Sequence, residues 1–151
     1  MSSIPFHVEH LAVMDVRRQE AETVLTLAPA REALSNIPGN HIADAITLMY
    51  DGRIIACMGY ILILPGVVEV WLIPSVYVPK YPKFFIREVK NYLKTTAEVF
   101  NWHRAQTDTL DTPEARRWME AIGFVEEGRK KNYYLGQDYI MSARYFNRSE
   151  V

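Results

Sequence analysis

Two lysines beside a helix start, one carboxylate inside an apolar run, and a pair of adjacent tyrosines are the side chains here whose settings suit chemistry. Lys80 and Lys83 flank Tyr81 and Pro82 in "VPKYPKFF", between the apolar run "VVEVWLI" (67–73) and a segment of helical spacing from about Pro82 to Phe100. The first turn of a helix leaves N–H groups unpaired and carries the positive end of the dipole. A strand, a loop and a helix start in that order therefore suit an anionic ligand such as a phosphate. Phosphate loops usually contain glycines, which let the backbone approach the ligand. This loop has none, and Pro82 brings no N–H. Lys80 and Lys83 are then either point charges that hold phosphate or solvated surface lysines.

Glu69 is the only acid in "VVEVWLI". A carboxylate in such a strand needs a partner or a solvated face, so it is either a group aimed into a cleft or an outward polar position. Asp108, near the end of "RAQTDTL" (104–110), is a second acid of this kind, and Tyr133 and Tyr134 precede the end of the chain as strand aromatics or cleft residues. His41 and His103 have the proton affinity of a base but no spacing that assigns one.

Other chemistries are excluded. Four scattered histidines and one cysteine provide no zinc spacing, and no Gly-x-Ser-x-Gly elbow or Walker loop is present. Cys57 lies in "RIIACMGYILIL" and reads as a small buried hydrophobe without a catalytic role. A net charge of −1, from 17 basic and 18 acidic residues, argues against nucleic acid or an acidic membrane as partner. The basic run "GRKKN" (128–132) reads as a solvated hairpin turn. The apolar stretch from Ile54 to Val68 is interrupted by Gly59, Pro65 and Gly66 and falls short of the roughly 20 residues of a membrane span. "MSSIPFHVEH" has neither region of a signal peptide, so a cytoplasmic location is expected.

These side chains are positioned by a mixed α/β order. The 151 residues, 49% of them hydrophobic, suit one domain over 1–151, with 146–151 as a frayed tail. "FHVEHLAVM" (6–14) is expected as the first strand. A helix over 16–28 capped by Asp15 and a short helix over 29–37 follow. Asp51-Gly52 joins two strands, "AITLMY" and "IIACMGYILI", as a hairpin turn, and Pro65-Gly66 leads into "VVEVWLI". Phe85, Val89, Tyr92 and Leu93 are spaced for the buried face of the helix from Pro82. "TPEARRWMEAI" is a helix capped by Thr112 or Asp111 and stopped by Gly123, and two strands close the chain.

With that order in place, "PEARRWMEAIGFVEEG" resembles the end of the GNAT (Gcn5-related N-acetyltransferase) family, through Ala115, Trp118, Gly123 and Phe124. The order of elements resembles that family from about residue 6 to 146. "VEVWLIPSVYVPKYPKFFIREVKNYL" is also similar to GNAT-like proteins of tailed phages. The resemblance implies a mainly antiparallel, twisted sheet whose fourth and fifth strands splay apart around acetyl-coenzyme A, with the pyrophosphate at the helix start over 78–84. It implies cofactor contacts from Leu72, Ile73, Ser75, Val76 and Val78 to the pantetheine and from Lys80, Tyr81 and Lys83 to the pyrophosphate. It also implies a carboxylate base, Glu69 or Asp108. The family's proton-donating tyrosine falls at Met119, which has no proton to give, so that role is either empty or taken by another residue; Tyr133 and Tyr134 lie near the final hairpin, and Tyr134 is the candidate acid. The implied activity is acetyl transfer to a primary amine on a small molecule or protein. An inactive scaffold that serves in a virion or contacts a host protein is the alternative, and a homodimer stays open.

Overall fold

A computed structural model of the chain describes residues 3–7, 10 and 44–147. Its strands are β1 (Ser3–Pro5), β2 (Ile46–Tyr50), β3 (Arg53–Leu64), β4 (Val67–Pro74), β5 (Arg104–Leu110), β6 (Val125–Tyr134) and β7 (Gln137–Tyr145). They form one sheet in the order β1-β2-β3-β4-β5-β7-β6. Two long helices are described, α1 (Pro82–Phe100) and α2 (Pro113–Ala121).

Local chemistry explains most boundaries. Asp51 and Gly52 both have positive φ, 52° and 71°, the combination that matches the twist of a two-residue hairpin between β2 and β3. Pro82 occupies the first turn of α1, where a missing N–H costs nothing, and Asn101 ends the helix in the left-handed conformation. Thr112 caps α2 by accepting from the Ala115 N–H at 3.1 Å, and Gly123 (φ 93°) releases the chain from it.

Alternation along β4 separates the two faces of the sheet. Val68 and Val70 join the main core with Phe85, Val89 and Leu93 of α1 and Met119 of α2. Trp71 and Ile73 point the other way and pack with Ala45, Cys57 and Phe6. All four residues expected on the buried face of α1 are buried, together with Phe84 and Ala97. Desolvation pushes the Cys57 thiol up to about 11, against a weak opposing contact from the Thr47 hydroxyl, as a small core residue requires.

Two expectations are corrected. The first strand is Ser3–Pro5, and the described residues of the strand expected over 6–14 lie outside it, since the His7 N–H donates to His10 Nδ1 at 3.1 Å and the His10 N–H to the His7 carbonyl at 2.9 Å; residues 8, 9 and 11–14 lie outside the described residues. Residues 128–132 are not a turn but lie inside β6, and the reversal comes later, at Leu135 and Gly136 with φ 50° and 74°. The helices expected over 16–28 and 29–37, and His41, lie outside the described residues, as does the end of the tail from 148. Among the described residues no helix is long and apolar enough to cross a membrane, and no group of three or more His, Cys, Asp or Glu could hold a metal.

Candidate functional site

Strands β4 and β5 are parallel and pair over three rungs: Val67 with Arg104, Val68 with Ala105, and Glu69 with Gln106. Beyond that rung the ladder ends, while β4 continues to Pro74 and β5 to Leu110. The strands therefore diverge toward their C-terminal ends. On the helix side the divergence leaves an apolar cavity of about 30 Å³, lined by Val70 and Leu72 of β4, Thr107 and Thr109 of β5, and Leu93 and Met119 of the helices.

The opposite face carries the polar groups. Glu69 is half-buried and hydrogen-bonded to the Gln106 side chain. Asp108, two residues along the same face of β5, accepts from Lys130 Nζ of β6 at 2.8 Å, and that ammonium also lies 4.5 Å from the centre of the Tyr133 ring. Arg104 donates to Gln106 Oε1 at 2.9 Å and pairs with Glu127, which also accepts from the Tyr145 hydroxyl. Burial holds the Glu69 carboxyl above the ordinary carboxylate range. Asp108 adds to the rise, while the Gln106 hydrogen bond and the charges of Lys130 and Arg104 oppose it. Such a carboxyl can accept a proton more readily than an exposed one.

The structure thus brings Glu69 and Asp108 to one face of adjacent strands. Tyr134 stands apart, on β6 at the sheet edge with β7 between it and β5, edge-on to Tyr139 at 6.5 Å. Gln106 and Lys130 were not singled out from the sequence. Period-two alternation in "RAQTDTL" puts Gln106 on the face of Asp108, but the placing of Lys130 depends on β6–β7 register, which shifts between Lys130 and Tyr134.

At the end of β4 the chain forms a short 3-10 turn, Val78–Lys80, before α1. Ser75, Val76 and Tyr77 lie between β4 and that turn. The Ser75 N–H is given to the Ile55 carbonyl at 2.8 Å, the Tyr77 N–H to Ser75 Oγ at 3.2 Å, and the Val78 N–H to the Ser75 carbonyl at 3.3 Å. The Ser75 and Val78 donors, expected to face pantetheine, instead hold the chain to β3 and close the turn. Val78 is fully buried as a core residue. At the helix start Pro82 has no N–H and the Phe85 N–H donates to the Tyr81 carbonyl at 3.0 Å, so at most the Lys83 and Phe84 N–H groups remain for an anion. Lys80 and Lys83 are exposed, and Lys80 Nζ lies 5.8 Å from the centre of the Tyr81 ring. Tyr50 of the β2–β3 hairpin packs against Tyr81 and Phe84, and Arg53 lies over Tyr77 at 4.8 Å, which adds a third cation to this end of the cleft.

No family model and no curated protein sequence matches the chain. Solved structures do. A ribosomal-protein-S18-alanine N-acetyltransferase from Escherichia coli superposes with a TM-score of 0.71 at 14% identity, over 99% of this chain and 96% of that one. A spermidine N-acetyltransferase variant from Vibrio cholerae gives 0.68 at 16% identity, over 96% and 95%. A GNAT-family acetyltransferase from Bacillus anthracis gives 0.58 at 15% identity, over 68% of this chain and 66% of that one. The fold is that of the GNAT acetyltransferases. Within it, the GNAT-like ending expected from "RRWMEAIGF" is the C-terminal end of α2, followed by Gly123 and Phe124 and then β6.

Proposed function

We propose that the chain transfers acetyl from acetyl-coenzyme A to a primary amine. The observation that carries this reading is the end of the parallel ladder at Glu69 and Gln106, where a carboxyl of raised proton affinity stands at the opening between two diverging strands. Glu69 takes a proton from the incoming ammonium, directly or through water. The neutral nitrogen bonds to the thioester carbonyl carbon, the carbon–sulfur bond breaks, and the sulfur leaves as a thiolate that takes up a proton. The products are the N-acetyl amine and coenzyme A. Asp108, neutralised by Lys130, tunes Glu69 and is the second candidate base. Met119 holds no proton and Tyr134 lies at the sheet edge, so solvent is the simpler source of the proton for sulfur. Leu72 and Val76 border the pantetheine path, with the buried Ile73, Ser75 and Val78 behind them as support, and Lys80, Tyr81 and Lys83 border the pyrophosphate. Two neighbours of this fold are named for an alanine of ribosomal protein S18 and for spermidine, so the acceptor proposed is an amine on a protein or on a small molecule.

A second reading is favoured by one observation, the glycine-free helix start with at most two free N–H groups. On it the chain is a GNAT scaffold without activity, a virion component or host-contact protein of a phage. Thermal unfolding with and without millimolar acetyl-coenzyme A separates the two, since a ligand at 100 times its Kd stabilises by about 2.7 kcal/mol. A shift, followed by acetylation of spermidine or an alanine-terminated peptide detected by mass spectrometry, supports the enzyme. No shift supports the scaffold.

A further inference from the structure

Met119, Thr109 and Phe124 each border two separate spaces. One is the cavity of about 30 Å³ between the diverging ends of β4 and β5. The other is a groove of about 380 Å³ between α2 and strands β6 and β7, floored by Ile140 and Ser142 and rimmed by Arg116 and Glu126. Those three side chains are the wall between them. Thr109 is β-branched and sits in a paired strand opposite Ile140, and Phe124 is buried where the chain leaves α2, its N–H donating to the Met119 carbonyl at 2.9 Å. Both are fixed. Met119 is unbranched, has three rotatable side-chain bonds and stands at the last turn of α2, so it is the adjustable part of the wall.

We propose that Met119 sets the length of the acyl group the protein accepts, by closing the cavity behind an acetyl group and shutting a longer chain out of the groove. This rests on the acyl-transfer reading and takes the acetyl end of the thioester to enter the cavity from between the parting strands. A water molecule needs about 10–15 Å³ of space for its centre, so about 30 Å³ holds a group of one or two heavy atoms, such as the end of an acetyl group, and not a six-carbon chain. The groove beyond has the volume for one, with Ile140, Phe124 and Val125 as its apolar lining, Ser142 and Thr109 as small hydroxyls within it, and charged groups at its rim. Shortening Met119 joins the two spaces. A methionine kept only for core packing would instead cost stability when shortened and leave donor choice alone.

Calorimetric titration of acetyl-, butyryl- and hexanoyl-coenzyme A into the unmodified protein, Met119→Ala and Met119→Leu tests this, with kcat/KM for each donor at one fixed amine. The unmodified protein should prefer acetyl over hexanoyl by about tenfold or more, the range in which an apolar pocket discriminates chain length. Met119→Ala should move that ratio about tenfold or more toward hexanoyl, and Met119→Leu, of similar volume, should keep it. Should the alanine variant fail to fold, Met119→Val makes the same comparison with a smaller truncation. An unmodified protein that takes hexanoyl as well as acetyl, or a folded truncation with an unchanged ratio, overturns the role of Met119 and leaves acyl transfer standing. If no acyl-coenzyme A binds the unmodified protein, the acyl-transfer reading falls and this inference with it.

Discussion

Glu69 and Gln106 form the last rung of the parallel β4–β5 ladder, and their side chains are hydrogen-bonded to each other at the point where the two strands part. An acid at that rung is held in place by its neighbour without being neutralised by it, since an amide carries no charge. Full charges, Asp108 with Lys130 and Arg104 with Glu127, stand one step further out and shift its proton affinity from there.

Glu69→Gln should lower kcat for acetyl transfer by about 10²- to 10⁴-fold, the contribution of a positioned general base, and leave acetyl-coenzyme A binding unchanged. Steady-state kinetics and titration of the same preparation measure both. A variant that retains full turnover would show that Glu69 is not the base.

The acid limb of the rate profile should follow the groups around Glu69. The rate rises with pH as the raised Glu69 carboxyl loses its proton. Asp108→Asn removes a like charge and frees Lys130, so the limb should move to lower pH. Lys130→Met removes an opposing charge, and the limb should move to higher pH. Shifts in the same direction for both variants would contradict this assignment.

Changing Lys80 and Lys83 together to alanine should weaken coenzyme A binding by about 1–3 kcal/mol, the range for charge-assisted hydrogen bonds. Pro82 removes one backbone donor at that helix start, so charge carries more of the contact than geometry does. Binding to the unmodified protein should fall as salt rises, because both lysines are exposed. Affinity indifferent to the double substitution and to salt would make the lysines bystanders.

Gly59→Ala should destabilise the fold by about 1–3 kcal/mol, the usual cost of overpacking. Its added Cβ would stand 2.6 Å from Trp71 Cζ2 and 2.9 Å from Ala45 Cβ, and all three positions are buried. Urea unfolding followed by tryptophan fluorescence reads the change, and an unaltered midpoint would mean that the Trp71 ring moves freely.

Glu127 is held down to about 2 by its hydrogen bonds from Arg104 and Tyr145. The unfolded chain, with an ordinary carboxyl near 4.5, then binds more protons than the folded one between about pH 4.5 and 2, so the pairing stabilises above that window and its contribution is lost on acidification through it. The pair is solvent-facing, so Glu127→Gln should cost no more than about 1 kcal/mol at neutral pH and should flatten the stability change across that window. Unfolding midpoints at pH 6, 4 and 3 compare the two proteins.

Signals that act over a few residues were legible in the sequence alone. Pro82 at the first turn, the spacing of Phe85, Val89, Tyr92 and Leu93, the Asp51-Gly52 turn, and Thr112 with Gly123 around α2 all follow from local backbone sterics, hydrogen bonding and helical period. They fixed the order of elements after residue 44 and placed two lysines beside a helix start. What acts across the chain was not legible. The parting of β4 and β5 was expected only through the family resemblance; that it comes after three rungs, that Glu69 meets Gln106 there, and that Lys130 lies within a strand and reaches Asp108 depend on register, and register is decided by packing against distant strands and by bulges such as the one between Lys130 and Tyr134. The hydrogen bonds between His7 and His10 likewise take those two residues out of the strand expected over 6–14. The side chains available for chemistry were therefore set by sequence, and which of them share a face was set by the long-range pairing of the sheet.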